Sequence, residues 1–145
     1  MQHGALYRLS VHWEDGSGNR IPSYARYVIQ DETTKIFNAN VWAPEKPYIW
    51  KYPEYKPAKT SLLIYEAHVG MATEEEKTGT FEEFRKNVLP GIAKSGYNAI
   101  QLMAIQEHPY YGSFGYHVSG FFAVSSRFGT PDSFFPVQDN FLKRF

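Results

Sequence analysis

Apolar and polar side chains alternate from residue 5 to residue 13, which predicts a strand with Leu9, Val11 and Trp13 on one face. The cluster Glu14-Asp15-Gly16-Ser17-Gly18-Asn19 predicts a turn. Strand-like segments follow from Tyr24 to Ile29 and from Ile36 to Trp42, so the chain opens in antiparallel β grammar. From Ala43 to Lys59 this pattern stops. Pro44, Pro47, Pro53 and Pro57 exclude a regular helix or a central strand there. The segment reads as an extended linker along a surface, with Tyr48, Trp50, Tyr52 and Tyr55 as its anchors.

Beyond the linker the period changes. Residues 61–69, Ser-Leu-Leu-Ile-Tyr-Glu-Ala-His-Val, form a mostly apolar run, the pattern of a strand buried on both faces. Gly70 to Gly79 is a polar loop. Thr80-Phe81-Glu82-Glu83 has the form of a capping box, with Thr80 as N-cap and Glu83 three residues on. Phe81, Phe84, Val88 and Ile92 then recur at helical spacing, with Leu89 widening the stripe. Pro90 should interrupt and kink this helix, and Gly96 suits the position just past its end. Tyr97 to Ile105 reads as a second buried strand. Strand, helix and strand in this order predict a βαβ unit with parallel strands.

Composition adds limits. The 145 residues are too few for a complete (β/α)8 barrel, which needs about 250. Fifteen basic and fifteen acidic residues give zero net charge, so neither nucleic acid nor an anionic membrane is an expected partner. No cysteine is present, which removes disulfides and thiolate chemistry. The first residues lack the pattern of a signal peptide, and no run approaches a membrane span. Eleven Tyr, eleven Phe and three Trp suit either an aromatic core or the flat C–H faces of sugars.

Residues 106–117 hold one carboxylate, two histidines, three tyrosines, a phenylalanine and two glycines. Such a loop after a strand is where α/β proteins place their working residues. Glu107 with His108 is either an acid/base pair or a hydrogen-bonded brace for the loop. Tyr116, beside the permissive Gly115, is either core or a ligand contact, and its loop position favours contact. Tyr110 and Tyr111 stand open between the two. His68, His108 and His117 lack helical HxxxH spacing and a carboxylate cluster, so no metal is expected. After the second strand the acids besides Glu107 are Asp132 and Asp139, and neither sits at a recognisable strand end.

Several blocks occur in a telling order: Ile64-Tyr65-Glu66-Ala67-His68-Val69-Gly70-Met71, Asn87-Val88-Leu89-Pro90, residues 96–105, residues 107–118 and residues 121–131. The series closely resembles the 1,4-α-glucan branching enzymes of the α-amylase superfamily. Upstream, Arg20-Ile21-Pro22-Ser23-Tyr24-Ala25 and Val41-Trp42-Ala43-Pro44 look like the end of that family's β-sandwich carbohydrate-binding module.

The resemblance implies a cytoplasmic enzyme without a cofactor, acting on an α-1,4-glucan such as glycogen or starch. It would cut an α-1,4 bond and rejoin the chain through an α-1,6 bond by double displacement. It carries a sugar-stacking role over to Tyr116, with His117 beside it, Glu107 and His108 in the same pocket wall, and Tyr111 as a further substrate contact. The implied fold mixes α+β and α/β: part of a β-sandwich over 1–43, a linker over 44–60, the first βαβ of a (β/α)8 TIM barrel over 61–133, and an unmatched tail over 134–145. In the family a helix stands where that tail lies. The family's Asp nucleophile, Glu acid and second Asp lie further on, so no catalytic residue is expected here. The chain reads as an N-terminal fragment, from a truncated or frameshifted frame. A non-catalytic glucan-binding protein and a debranching enzyme are the alternatives.

Overall fold

The structure is a computed structural model that describes residues 1–54, 56 and 60–142. The anchoring role of Tyr55, the break at Pro57 and the last three residues of the tail lie outside the described residues. In chain order the strands are β1 (Leu6–Tyr7), β2 (Leu9–Trp13), β3 (Gly16–Arg20), β4 (Val28–Gln30), β5 (Phe37–Asn40), β6 (Ile64–His68), β7 (Ala99–Met103), β8 (Gln106–Glu107) and β9 (Gly120–Val124). The helices are α1 (Phe81–Glu83), α2 (Leu89–Lys94) and α3 (Pro131–Leu142), with a π-helical stretch, Phe84–Val88, joining the first two. Two compact units result. One holds Met1–Pro47 and Gln106–Ser126, the other Tyr48–Ile105 and Arg127–Phe145.

In the first unit β1, β5 and β4 form an antiparallel sheet in that order. Its core is built from small side chains: Ala25, Val28, Ala39 and Ala123 are buried, with Tyr7, Ile21 and Phe37 packed against them. β8 and β9 pair antiparallel, and a parallel bridge from Tyr27 to Val124 ties this pair to the segment before β4. β2 and β3 form a hairpin of their own.

That hairpin corrects the expected turn over residues 14–19. Only Glu14 and Asp15 turn, while Gly16 to Asn19 lie in a strand paired with β2. Cross-strand packing explains the difference. Trp13 lies opposite Gly16, where a β-carbon would sit 3.2 Å from the indole. The glycines therefore serve as a floor for the ring rather than as a loop. Leu9, Val11 and Trp13 do share a face, but it is exposed.

The second unit contains the expected strand–helix–strand. β6 and β7 are parallel, with Ile64 opposite Ala99 and His68 opposite Met103. Thr80 caps α1 as read: its Oγ1 accepts the Glu83 amide at 3.2 Å, and Glu83 Oε2 accepts the Thr80 amide at 3.0 Å. Hydrogen bonding from Lys77, then Thr80, holds the Glu83 carboxyl down to about 2. Pro90 has no N–H to donate to the fourth carbonyl back. The helix adjusts just before it, where the Leu89 amide bonds Phe84 O, five residues back. Gly96, at φ 87°, ends the helix. Phe81, Phe84, Leu89 and Ile92 are buried along the expected stripe, with Phe128 and Phe134 packed against Phe81.

Two further readings change. Residues 134–142 of the tail are helical, within α3. Thr130 and Ser133 cap it reciprocally, Pro131 takes the first position, and Phe134 and Val137 face the core. Gly129 precedes the cap at φ 140°, where a β-carbon would meet Ser133 Oγ. Second, β6 is not buried on both faces. Ile64 is 51% exposed, and Leu62 and Leu63 before it are more so. β6 and β7 pair only with each other among the described residues, so an apolar run suited to the middle of a sheet stands at an edge. Beside α3 a cavity of about 730 Å³ is lined by Trp50, Tyr52, Leu89, Leu102, Phe134 and Phe141.

Open parallel edges and an underfilled apolar layer favour self-association. Sedimentation velocity on the 145-residue chain should show concentration-dependent assembly, reduced by Ile64→Lys at the exposed edge. A wild-type chain that stays monomeric and unfolds in one sharp cooperative transition would contradict this.

Candidate functional site

The loop from Gln106 to Ser126 belongs to the first unit and is shaped by its own backbone. Tyr111–Ser113 makes a 3₁₀ turn, with the Phe114 amide on Tyr111 O at 2.9 Å and the Tyr116 amide on Ser113 O at 3.0 Å. Phe114 and Gly115 are both left-handed, at φ 51° and 83°. Left-handed phenylalanine is costly, and such strain gathers at functional loops. Two such residues in succession reverse the chain just before Tyr116. The Tyr110 ring crosses Gly112 so closely that any β-carbon there would collide with it.

This backbone leaves aromatic faces open. Tyr116 is 76% exposed and Tyr110 is 65% exposed, while Tyr111 is half-buried against Phe114. His117 is exposed beside Tyr116. Rings with apolar faces and polar rims suit pyranose C–H faces and hydroxyls.

Glu107 and His108 have a different place. Both are fully buried, behind the loop rather than on its face. His108 Nδ1–H donates to Gln106 O at 2.9 Å, since a carbonyl can only accept. Burial pushes the Glu107 carboxyl above the usual carboxylate range, against the opposing pull of the amides of Ser126 and His108.

The sequence reading passed over Tyr24 and Phe122 as site residues. Their rings stack at 4.6 Å with 29° between planes, and both are exposed. They come from distant segments, held in place by the buried neighbours Ala25 and Ala123, so no local signal marks the pair.

In the second unit Glu66, in the middle of β6, accepts from Gln101 Nε2 at 2.6 Å. Asp139 is buried and accepts from Tyr48 Oη and the Lys51 amide. No group of three or more metal-ligating side chains occurs among the described residues, and none of their helices is long and apolar enough to cross a membrane.

No family model matches the chain. Individual proteins do. Over 134 residues, 90% of this chain and 19% of the relative, it is 46% identical to the 1,4-α-glucan-branching enzyme of Yarrowia lipolytica. It is 47% identical over 132 residues to branching enzyme 2-2, chloroplastic/amyloplastic, of Arabidopsis thaliana, covering 90% of this chain and 16% of that one. The Rhizophagus irregularis branching enzyme is 46% identical over 139 residues, 94% of this chain and 20% of the relative. Over about nine tenths of its length the chain is similar to 1,4-α-glucan-branching enzymes.

The structural comparison agrees at the level of fold. An α-amylase-like protein from Salmonella typhimurium superposes with a TM-score of 0.77 and 25% identity, over 99% of this chain and 23% of that one. The chain spans about a fifth of the length of the branching enzymes it matches. Within that fifth lies the whole loop that presents Tyr116.

Proposed function

We propose that the loop around Tyr116 is an α-1,4-glucan contact of a branching enzyme, with His117 and Tyr111 at its margins. The whole enzyme would cut an α-1,4 bond and reform it as an α-1,6 branch through a covalent glycosyl-enzyme. The observation that carries this is Tyr116 itself: an exposed ring on a strained loop, in a chain with branching-enzyme relatives. We place β1 to β5 in a β-sandwich carbohydrate-binding module and β6 to β7 in the first βαβ of a (β/α)8 barrel. The same reading keeps the chain in a cytoplasmic setting.

The 145 residues alone should not catalyse branching. A retaining mechanism needs two carboxyl groups about 5–5.5 Å apart across a sugar site. Glu107 is buried behind the loop, and Asp139 is buried and bonded to Tyr48 and Lys51. This observation also favours a second reading, in which the chain by itself is a non-catalytic glucan binder.

Titration calorimetry with maltoheptaose and an iodine-stain branching assay test both statements. Saturable heat with no change in iodine colour is expected. No heat would count against the glucan contact, and any branching would show that a catalytic pair is present.

A further inference from the structure

The loop needs something to hold its ends while Tyr116 projects into solvent, and one buried side chain reaches both. We propose that Glu107 is a positioning residue that clamps the two ends of loop 108–125 and so sets the presentation of Tyr116. This rests on the glucan reading of the loop.

The geometry is specific. Glu107 Oε1 accepts the His108 amide at 3.1 Å, at the loop's first residue. Glu107 Oε2 accepts the Ser126 amide at 2.7 Å, just past its last. The Glu107 carbonyl accepts the Ser119 amide at 2.9 Å and the Ser119 hydroxyl at 3.3 Å, within the returning arm. Gly120 faces Glu107 across the β8–β9 pair, and a β-carbon there would come within 3.1 Å of Glu107 Cβ. Glycine thus makes the room that the glutamate side chain occupies. One residue bonds the loop at its start, on its return and beyond its end.

Only an ionised carboxylate does this without conflict. It offers two acceptor oxygens to two N–H donors, and such charge-assisted bonds are stronger than neutral ones. Glutamine has nearly the same shape but one acceptor, so its amide group must point N–H at either His108 or Ser126. The charged and titratable groups that face Glu107 are His108 and Tyr27. The Tyr27 hydroxyl is itself raised, first by burial and then by the Glu107 charge.

The experiment uses the full chain, wild type and Glu107→Gln. By ¹H–¹⁵N NMR, the His108 and Ser126 amides of the wild type should titrate together, with a midpoint above the ordinary carboxylate range. The Tyr116 signals should move at that same midpoint, and the shared transition should vanish in Glu107→Gln. Maltoheptaose affinity should fall about tenfold in Glu107→Gln, the scale of one lost charged hydrogen bond. A Tyr116 whose signals ignore the titration would overturn the proposal, and that measurement needs no variant to fold. So would a folded Glu107→Gln that binds as tightly as wild type while Tyr116→Ala is weakened. If Tyr116→Ala binds like wild type, the glucan reading fails instead, and the amide titration still decides whether Glu107 clamps the loop.

Discussion

Tyr116→Ala should weaken maltoheptaose binding roughly 10- to 100-fold while leaving the fold intact. The ring is 76% exposed in the free chain, so a stacked sugar would cover surface that folding leaves open. Removing an aromatic side chain from such a contact costs about 1.5–3 kcal/mol, which converts to that range. The Tyr116 amide donates to Ser113 O, and alanine retains that bond. Stability should therefore change by less than about 0.5 kcal/mol, as for an ordinary surface site. This separates binding from folding, which few substitutions in an aromatic-rich chain allow. Trp13→Ala, on the exposed hairpin, is the matched control and should bind like wild type. Equal affinities for Tyr116→Ala and wild type in calorimetry would remove the central claim about this loop.

The largest effect on stability is expected at Asp139, in the second unit. Its carboxylate is buried on α3 and accepts the Tyr48 hydroxyl and the Lys51 amide, the latter at 3.0 Å. Tyr48 and Trp50 meanwhile pack on Phe135, so this aspartate pins residues 48–51 to the helix. Asp139→Ala would leave the Tyr48 hydroxyl and the Lys51 and Tyr52 amides without this acceptor, at about 3 kcal/mol in total. Tyr48→Phe removes one bond and should cost about half as much. Urea unfolding at neutral pH gives both values, and an Asp139→Ala chain as stable as wild type would contradict the assignment.

The pH dependence follows with a definite sign. Burial alone would raise the Asp139 carboxyl, but hydrogen bonds from Tyr48, Lys51 and Tyr52 outweigh it and leave the group below its ordinary value. The unfolded chain therefore takes up this proton first as pH falls. The stabilisation is present above the unfolded aspartate value of about 3.9 and is lost as pH falls through the folded value. The gap between wild type and Asp139→Ala should close in that acid window. Tyr48 is pushed up to about 12, by burial and then by Asp139, so its donor proton stays in place through neutral pH. Glu107 has the opposite sign. Its raised carboxyl contributes stability in acid that is lost as pH rises through the folded value.

Much of the second unit was legible because its signals are local. A capping box spans three residues, a helical stripe repeats every three or four, and a glycine past the helix end needs only its own φ. Thr80, Phe81, Phe84, Leu89, Ile92 and Gly96 all took the places their spacing predicts. α3 was missed although its signals are of the same kind: Thr130 and Ser133 form a cap, and Phe134, Val137 and Phe141 follow helical spacing. Pro136 lies inside it, at a position where proline normally argues against a helix. The Gly16–Asn19 strand was missed because glycines that floor a tryptophan look the same in sequence as glycines that turn a chain.

The sequence by itself determined the likeness to branching enzymes, the strand–helix–strand order and the loop that carries Tyr116, because these rest on contiguous blocks and short-range spacing. Only the tertiary structure decided which polar side chains are buried, and with what partners. Glu107 is fully buried because Ser126 and Ser119 come round to meet it, and Asp139 because Tyr48 and Lys51 lie against α3. A carboxylate leaves water only where donors from elsewhere in the chain replace its hydration, and that supply is set by the fold and invisible in local pattern. The same holds for the exposed edge at Ile64. Its apolar run is that of an inner strand, and whether it is inner depends on what lies beside it.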